Sequence, residues 1–286
     1  GWDDYEGVYV LMEKIEQGED RVNVADLDET MSEEPDVSGG YLLKKDWGDC
    51  EEGFETSRYR DFLIYEYPNP ADLTTEQEAY LERHFNQFEA VLAGGDFADP
   101  DVGYAQYVDV LSFIDHHLMV EMGRNVDGFV LSTYLHKDRE GLITMGPIWD
   151  YNGGLGGADY FQAYRTAGWH TENPEFPADN PNAYEWYERM FDDLAFRQLY
   201  AERWMELREG PWATEAMIAD INDTAERLTE AADRNFDRWD ILGDYIWPNA
   251  PGYNTRDTFQ KEVDYLAEWL TGRLLWMDSE LEDGEY

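Results

Sequence analysis

The sequence predicts an α+β fold. Residues 1–70 form a smaller, β-rich lobe. Residues 71–286 form a larger, mostly helical lobe that carries a hairpin between 127 and 150. Three observations predict this. β-branched and aromatic residues alternate before Pro70, apolar residues recur at helical spacing after it, and two short β runs joined by a polar turn sit between helical runs. A chain of 286 residues is long enough to bury a substantial core.

In the first part, Val8, Val10 and Met12 alternate with Tyr9, Leu11 and Glu13, which reads as a strand. Further strands are expected near Arg21 to Val24, Gly40 to Lys44 and Arg60 to Tyr67, with an acidic loop from Asp46 to Phe54. Tyr67-Pro68-Asn69-Pro70 breaks the pattern and marks the lobe boundary. Thr74 is a helix cap, and Thr75 to Leu92 carries Tyr80, Leu81, Phe85, Phe88 and Leu92 at helical spacing before Gly94 and Gly95 end it. A second helix runs from about Val108 to Met122.

The β runs Phe129 to Leu135 and Leu142 to Ile148 flank Lys137-Asp138-Arg139-Glu140-Gly141, a hairpin turn. A glycine-rich loop, Gly153 to Gly157, follows, then a polar excursion from Gly168 to Asn182. The rest reads as helices over Tyr184 to Glu209, Trp212 to Phe236 and Thr258 to Leu281. Trp204, Trp239, Trp269 and Trp276 recur on them and read as core rather than as a sugar-binding platform.

Composition narrows the function. Hydrophobic residues make up 43% and aromatics 15%, too many for a disordered acidic tail. The net charge of −43, with only 5 Lys against 16 Arg, repels nucleic acid and anionic membranes, so both are excluded as partners. Such a surface suits high salt, where screening removes self-repulsion, and points to a marine or halophilic source. The single cysteine, Cys50, excludes an intrachain disulfide and reads as a bystander. No apolar run reaches membrane-spanning length. His116-His117 invites a metal reading, but adjacent helix residues diverge and no other His or Cys supports it. The first residue is Gly, no signal peptide is visible, and the chain reads as a fragment or processed form.

Two carboxylates stand out. Asp127 precedes the hairpin and Asp150 follows it, 23 residues later and beside the glycine loop. Phosphoryl transfer needs one carboxylate to orient the attacking hydroxyl and another to hold Mg²⁺ on nucleotide phosphates. The structural alternative is a turn at Asp127-Gly128 and a cap at Asp150.

GVYVLMEKIE (Gly7 to Glu16), RVNVADL (Arg21 to Leu27), SGGYLLKKD (Ser38 to Asp46), SFIDHHLMVEMGRNVDGFVLSTYLHKDR (Ser112 to Arg139) and MGPIWDYN (Met145 to Asn152) resemble the CotH kinase family. RWMELREG, RNFDRW and WLTGRLLWMD resemble the C-terminal part of its secreted bacterial members. The resemblance implies an atypical protein-kinase-like fold, ATP with Mg²⁺ or Mn²⁺, a protein substrate phosphorylated on Ser/Thr, and a secreted or cell-surface location. It also implies further β structure ahead of Gly7. Carried over, Asp127 matches the catalytic Asp and Asp150 the metal-binding Asp. Asn152 is a second metal candidate, and Asn125 is a loop-shaping or metal-adjacent candidate on the cofactor side. For the phosphate-contacting Lys and its Glu, Lys14 with Glu13 and Lys44 are alternatives. Ser132 stands where many kinases have a metal-binding Asn, and Glu121 is either part of the E…N.D run or an internal hydrogen-bond partner. A non-catalytic extracellular binding or surface-assembly module is the rival reading, and a metal-dependent hydrolase is a third.

Overall fold

The computed structural model describes residues 4–48, 51–173, 175 and 185–282. Cys50 and most of the excursion expected from Gly168 to Asn182 lie outside them.

The fold is mixed α+β. One five-stranded antiparallel sheet has the order β2-β3-β1-β4-β5, from β1 (Tyr41–Lys45), β2 (Gly53–Glu55), β3 (Phe62–Tyr67), β4 (Thr133–Lys137) and β5 (Ile143–Ile148). Six helices accompany it among the described residues: α1 (Thr75–Leu92), α2 (Val110–Gly123), α3 (Glu185–Phe191), α4 (Leu194–Glu209), α5 (Thr214–Arg238) and α6 (Phe259–Glu282). β1 pairs with β3 on one side and with β4 on the other, so the sheet draws strands from both sides of Pro70.

Strand alternation divides the side chains between two faces. Tyr41, Leu43, Leu63, Tyr65 and Leu135 face the helices and join Phe85, Phe88, Phe113 and Leu118 in the main core. Leu42 and Tyr134 face the other way, where the chain at Ile15, Val22 and Val24 covers them in a small second cluster. Thr74 caps α1 through a reciprocal capping box with Gln77, which fixes that start where the sequence places it.

β5 is an edge strand, and its outer side is already engaged. The Ile143 N–H donates to the Tyr107 carbonyl, the Met145 N–H donates to Ser112 Oγ, and position 147 is proline. An added strand finds no free donor there.

Four expectations are corrected. Val8 to Met12 form no strand, and Val10 and Leu11 are 80% and 101% exposed. A run apolar on both faces needs cover on both faces, and the described residues leave each of the five at least 48% exposed. Arg21 to Val24 form only an isolated bridge, Gln17 with Val22. The first hairpin strand begins at Thr133 rather than Phe129, because Asp127 to Leu131 close a turn in which the Asp127 carbonyl accepts from Val130 and Leu131. The long helix expected to end at Glu209 is two, broken where Asp193 caps α4 by accepting from the Ala195 N–H.

The tryptophan reading holds for Trp204 and Trp269, which are buried, whereas Trp239 is 39% exposed against the chain at Gly7. His116 and His117 are buried structural residues. Each Nδ1 shares a hydrogen bond with a tyrosine hydroxyl, Tyr187 at 2.8 Å and Tyr200 at 2.9 Å respectively. No described helix is long and apolar enough to cross a membrane.

Candidate functional site

α2 ends where Arg124 turns left-handed, with φ 43°. That end is clamped. Glu121 and Arg273 of α6 are both fully buried and joined at 3.1 Å. The Glu121 carboxylate also accepts from the His170 and Thr171 N–H groups and the Thr171 hydroxyl. Arg273 donates further to the carbonyls of Glu121, Thr166 and Gly168, and Arg124 donates to those of Ala167 and Gly168. Glu121 is therefore an internal partner, and it fixes the point from which residues 124–127 depart.

Asn125 follows, buried, and then Asp127, which is half-buried. The Asn125 Oδ1 accepts from the Asp127 N–H at 3.4 Å, and its Nδ2 donates to the Asp150 carbonyl at 3.4 Å. Asp150 leaves β5 in a left-handed conformation, φ 56°, and is exposed, as is Asn152. Register explains why both carboxylates meet. Lys45 pairs with Thr133, and Thr133 pairs with Ile148. The end of β1, the start of β4 and the end of β5 thus share one margin of the sheet, and Asp46, Asp127 and Asp150 emerge from it.

The electrostatics report that convergence. Burial first, then the Asp150 charge and then the Asp46 charge, hold the Asp127 carboxyl above the ordinary carboxylate range. Tyr160 packs with Val126 beside it, and its hydroxyl is raised by burial and by Asp127. Trp247 stacks on Tyr160, ring centroids 6.0 Å apart and planes within 7°.

Lys44 lies on the face of β1 away from the helices. Its Nζ pairs with Glu66 at 3.1 Å and Glu51 at 3.3 Å, and its side chain is only 13% exposed. Burial opposes the ammonium charge, but Glu66 and Glu51 outweigh burial and hold the group above its ordinary range. Lys14, 71% exposed, stands 4.0 Å from the same Glu66. Glu13 instead pairs with Arg21, so these adjacent residues serve different partners. Lys44, Glu66 and Lys14 are brought together; Glu13 is not.

The glycine loop is packed against protein. A Cβ on Gly153 would meet Val126 at 2.7 Å, and one on Gly156, with φ +77°, would meet the Trp269 ring at 2.5 Å. The Leu155 N–H donates to the Gly123 carbonyl at 2.6 Å. These close approaches account for both glycines, and they dock the loop carrying Asp150 onto the loop carrying Asp127. Residues 157–159 in turn pair with the chain at 248–250, where the Asp159 N–H meets the Pro248 carbonyl and the Ala250 N–H the Gly157 carbonyl. Ser132 is also left-handed, φ 52°.

Sequence reasoning missed Glu66, Asp46 and Tyr160. Glu66 had a signal: it is the acid within the otherwise uncharged strand FLIYEY. Among the described residues no group of three or more His, Cys, Asp or Glu is arranged to hold a metal alone. Mg²⁺ does not require one, because it takes one or two carboxylates together with phosphate oxygens. A cavity of about 510 Å³ lies elsewhere, lined by His117, Tyr187, Phe191 and Arg197, and contains neither carboxylate.

The model of one family, described as CotH kinase protein, matches residues 2–277 of the chain. No curated protein matches it.

Proposed function

The chain belongs to the CotH kinase family, and on that premise we propose that it is an atypical, ATP-dependent protein kinase that phosphorylates Ser/Thr hydroxyls of a protein substrate on a kinase-like fold. The observation that carries this reading is the half-buried Asp127 carboxyl in the field of Asp150 and Asp46 at the sheet margin, with the Lys44–Glu66 pair on the neighbouring strands β1 and β3.

The acceptor oxygen attacks the γ-phosphorus, the bond to the ADP oxygen breaks, and the hydroxyl proton passes to Asp127. A carboxyl held above its usual range is a stronger base for that proton. Lys44, steered by Glu66, meets the phosphate oxygens; its shelter and its two short ion pairs favour it over the exposed Lys14. Clustered carboxylates that raise one another's affinity for protons are relieved equally by a cation. Asp150, with exposed Asn152 next to it, would hold Mg²⁺ or Mn²⁺, which supplies charge neutralisation on the phosphates. The acidic surface, which screening by salt would relieve, supports a saline, extracellular or cell-surface setting for this reading.

A second reading, a non-catalytic surface-assembly module, draws on Val8 to Met12. A contiguous exposed apolar run is the kind of surface another polypeptide covers.

The test is incubation with labelled ATP, Mg²⁺ or Mn²⁺ and a Ser-rich acceptor at low and high salt, beside Asp127→Ala and Asp150→Ala. Incorporation abolished by both substitutions supports the kinase. A folded protein that shows neither incorporation nor an ATP-dependent thermal shift refutes it and favours the module.

A further inference from the structure

The two carboxylates sit on separate loops, and neither loop is held by regular secondary structure at the carboxylate itself. Asp127 lies in a turn after α2, and Asp150 sits one residue past Trp149 with a left-handed backbone. A left-handed non-glycine residue persists only where its surroundings hold it. Asn125 makes side-chain hydrogen bonds to both loops. Its amide reaches the Asp127 N–H with the oxygen and the Asp150 carbonyl with the nitrogen, both at 3.4 Å, and no part of it reaches solvent. The alignment is enforced around it. A Cβ on Gly153 would meet Val126 at 2.7 Å and lie 3.7 Å from Asn125 Oδ1, and one on Gly154 would lie 3.6 Å from the Asn125 Cα, so the glycine loop passes close against Asn125.

We infer that Asn125 is a positioning residue: its amide sets the separation and orientation of the Asp127 and Asp150 loops, and it touches neither nucleotide nor acceptor. The inference rests on the kinase reading for its kinetic consequence, and on geometry alone for its structural one. An asparagine is suited to the position because it offers an acceptor and a donor on one short planar group. Aspartate has the same shape but presents a second oxygen to the Asp150 carbonyl, where only a donor fits.

The experiment compares the wild type with Asn125→Ala and Asn125→Asp in the full chain, folded in high salt. Mn²⁺ affinity is measured by electron paramagnetic resonance with and without a non-hydrolysable ATP analogue, and exchange of the Asp127 amide by hydrogen exchange without nucleotide. Both variants are expected to bind Mn²⁺ more weakly, because Asp150 is released. In Asn125→Ala the Asp127 amide also loses protection, while Asn125→Asp, which keeps the acceptor oxygen, protects it. Under turnover, kcat falls about 100-fold, the scale of a 1 Å misplacement, with KM for the acceptor within about threefold.

Unchanged Mn²⁺ affinity and unchanged Asp127 exchange overturn the inference whether or not the protein turns over. A raised KM for ATP with kcat retained also overturns it, since Asn125 would then be a nucleotide contact. Loss of thermal stability with full kcat in the folded fraction reduces it to packing and overturns it likewise. A wild type without transfer, but with the expected Mn²⁺ and exchange changes, removes the kinase reading and leaves the positioning role standing.

Discussion

Arg273→Ala tests the clamp that fixes the end of α2. The substitution removes a fully buried guanidinium that donates to the Glu121 carboxylate and to the carbonyls of Glu121, Thr166 and Gly168. Breaking a buried ion pair from one side costs roughly 3–5 kcal/mol, because the remaining charge stays buried. Glu121 retains three donors from His170 and Thr171, which favours the lower end for the charge itself. The Thr166 carbonyl loses the guanidinium as a partner, at about 1 kcal/mol, whereas the Gly168 carbonyl keeps the Arg124 guanidinium and the Glu121 carbonyl keeps the Arg124 N–H. The expected loss is therefore about 4 kcal/mol. At about 2–4 °C per kcal/mol for a chain of this size, Tm falls by roughly 8–16 °C. Urea unfolding followed by tryptophan fluorescence, in high salt, measures it. The double variant Arg273→Met with Glu121→Gln should cost less than the sum of the singles, since it leaves no orphaned charge. A loss below about 1 kcal/mol for Arg273→Ala would refute the clamp.

Three further outcomes follow from the same structure. Asp127→Asn should stabilise the protein at neutral pH. The folded carboxyl sits above its unfolded value, so ionisation weakens the fold as pH rises through the folded value; the gain should vanish below the ordinary carboxylate range, and a Tm unchanged or lowered at pH 7.5 counts against it. His116 and His117, lowered to about 3, and His84 and His170, lowered to about 4, all primarily by burial, are neutral when folded. Their stabilising effect is complete above their unfolded values and is lost as pH falls from about 6.5 towards 4, by up to about 1.4 kcal/mol per pH unit for each. Unfolding midpoints compared at pH 7 and pH 5 check this, and a flat profile denies it. Gly156→Ala meets both a positive φ and the Trp269 ring at 2.5 Å. It should cost about 2–4 kcal/mol in the same unfolding assay, and a neutral result would mean that the loop does not pack there.

Much of this arrangement was legible in the sequence where local signals are strong. α1 begins at Thr75 because Thr74 and Gln77 cap it, and the hairpin follows from two β runs and a polar turn. The pairing of Asp127 with Asp150 was legible from their spacing about that hairpin. What was not legible depends on register between distant segments. Glu66 and Lys44 meet because β3 and β1 are neighbours, and Asp46 joins the margin because Lys45 pairs with Thr133. Val8 to Met12 have the composition of a strand but no ladder, since a strand needs a partner that composition cannot supply. Asn125 was legible as a candidate by its place in the run before Asp127. Its two backbone partners were not, because they depend on how the glycine loop docks.

The pieces that finish the acidic margin come from the far end of the chain. Residues 157–159 are held by 248–250, the glycine loop by Trp269 and Tyr265, and the end of α2 by Arg273. During vectorial synthesis, Asp127 and Asp150 are made before the segments that brace their loops from outside. A nascent chain that has not yet made α6 carries the strand register and the Asn125 bridge, but neither the Arg273 clamp on the end of α2 nor the Trp269 ring against Gly156.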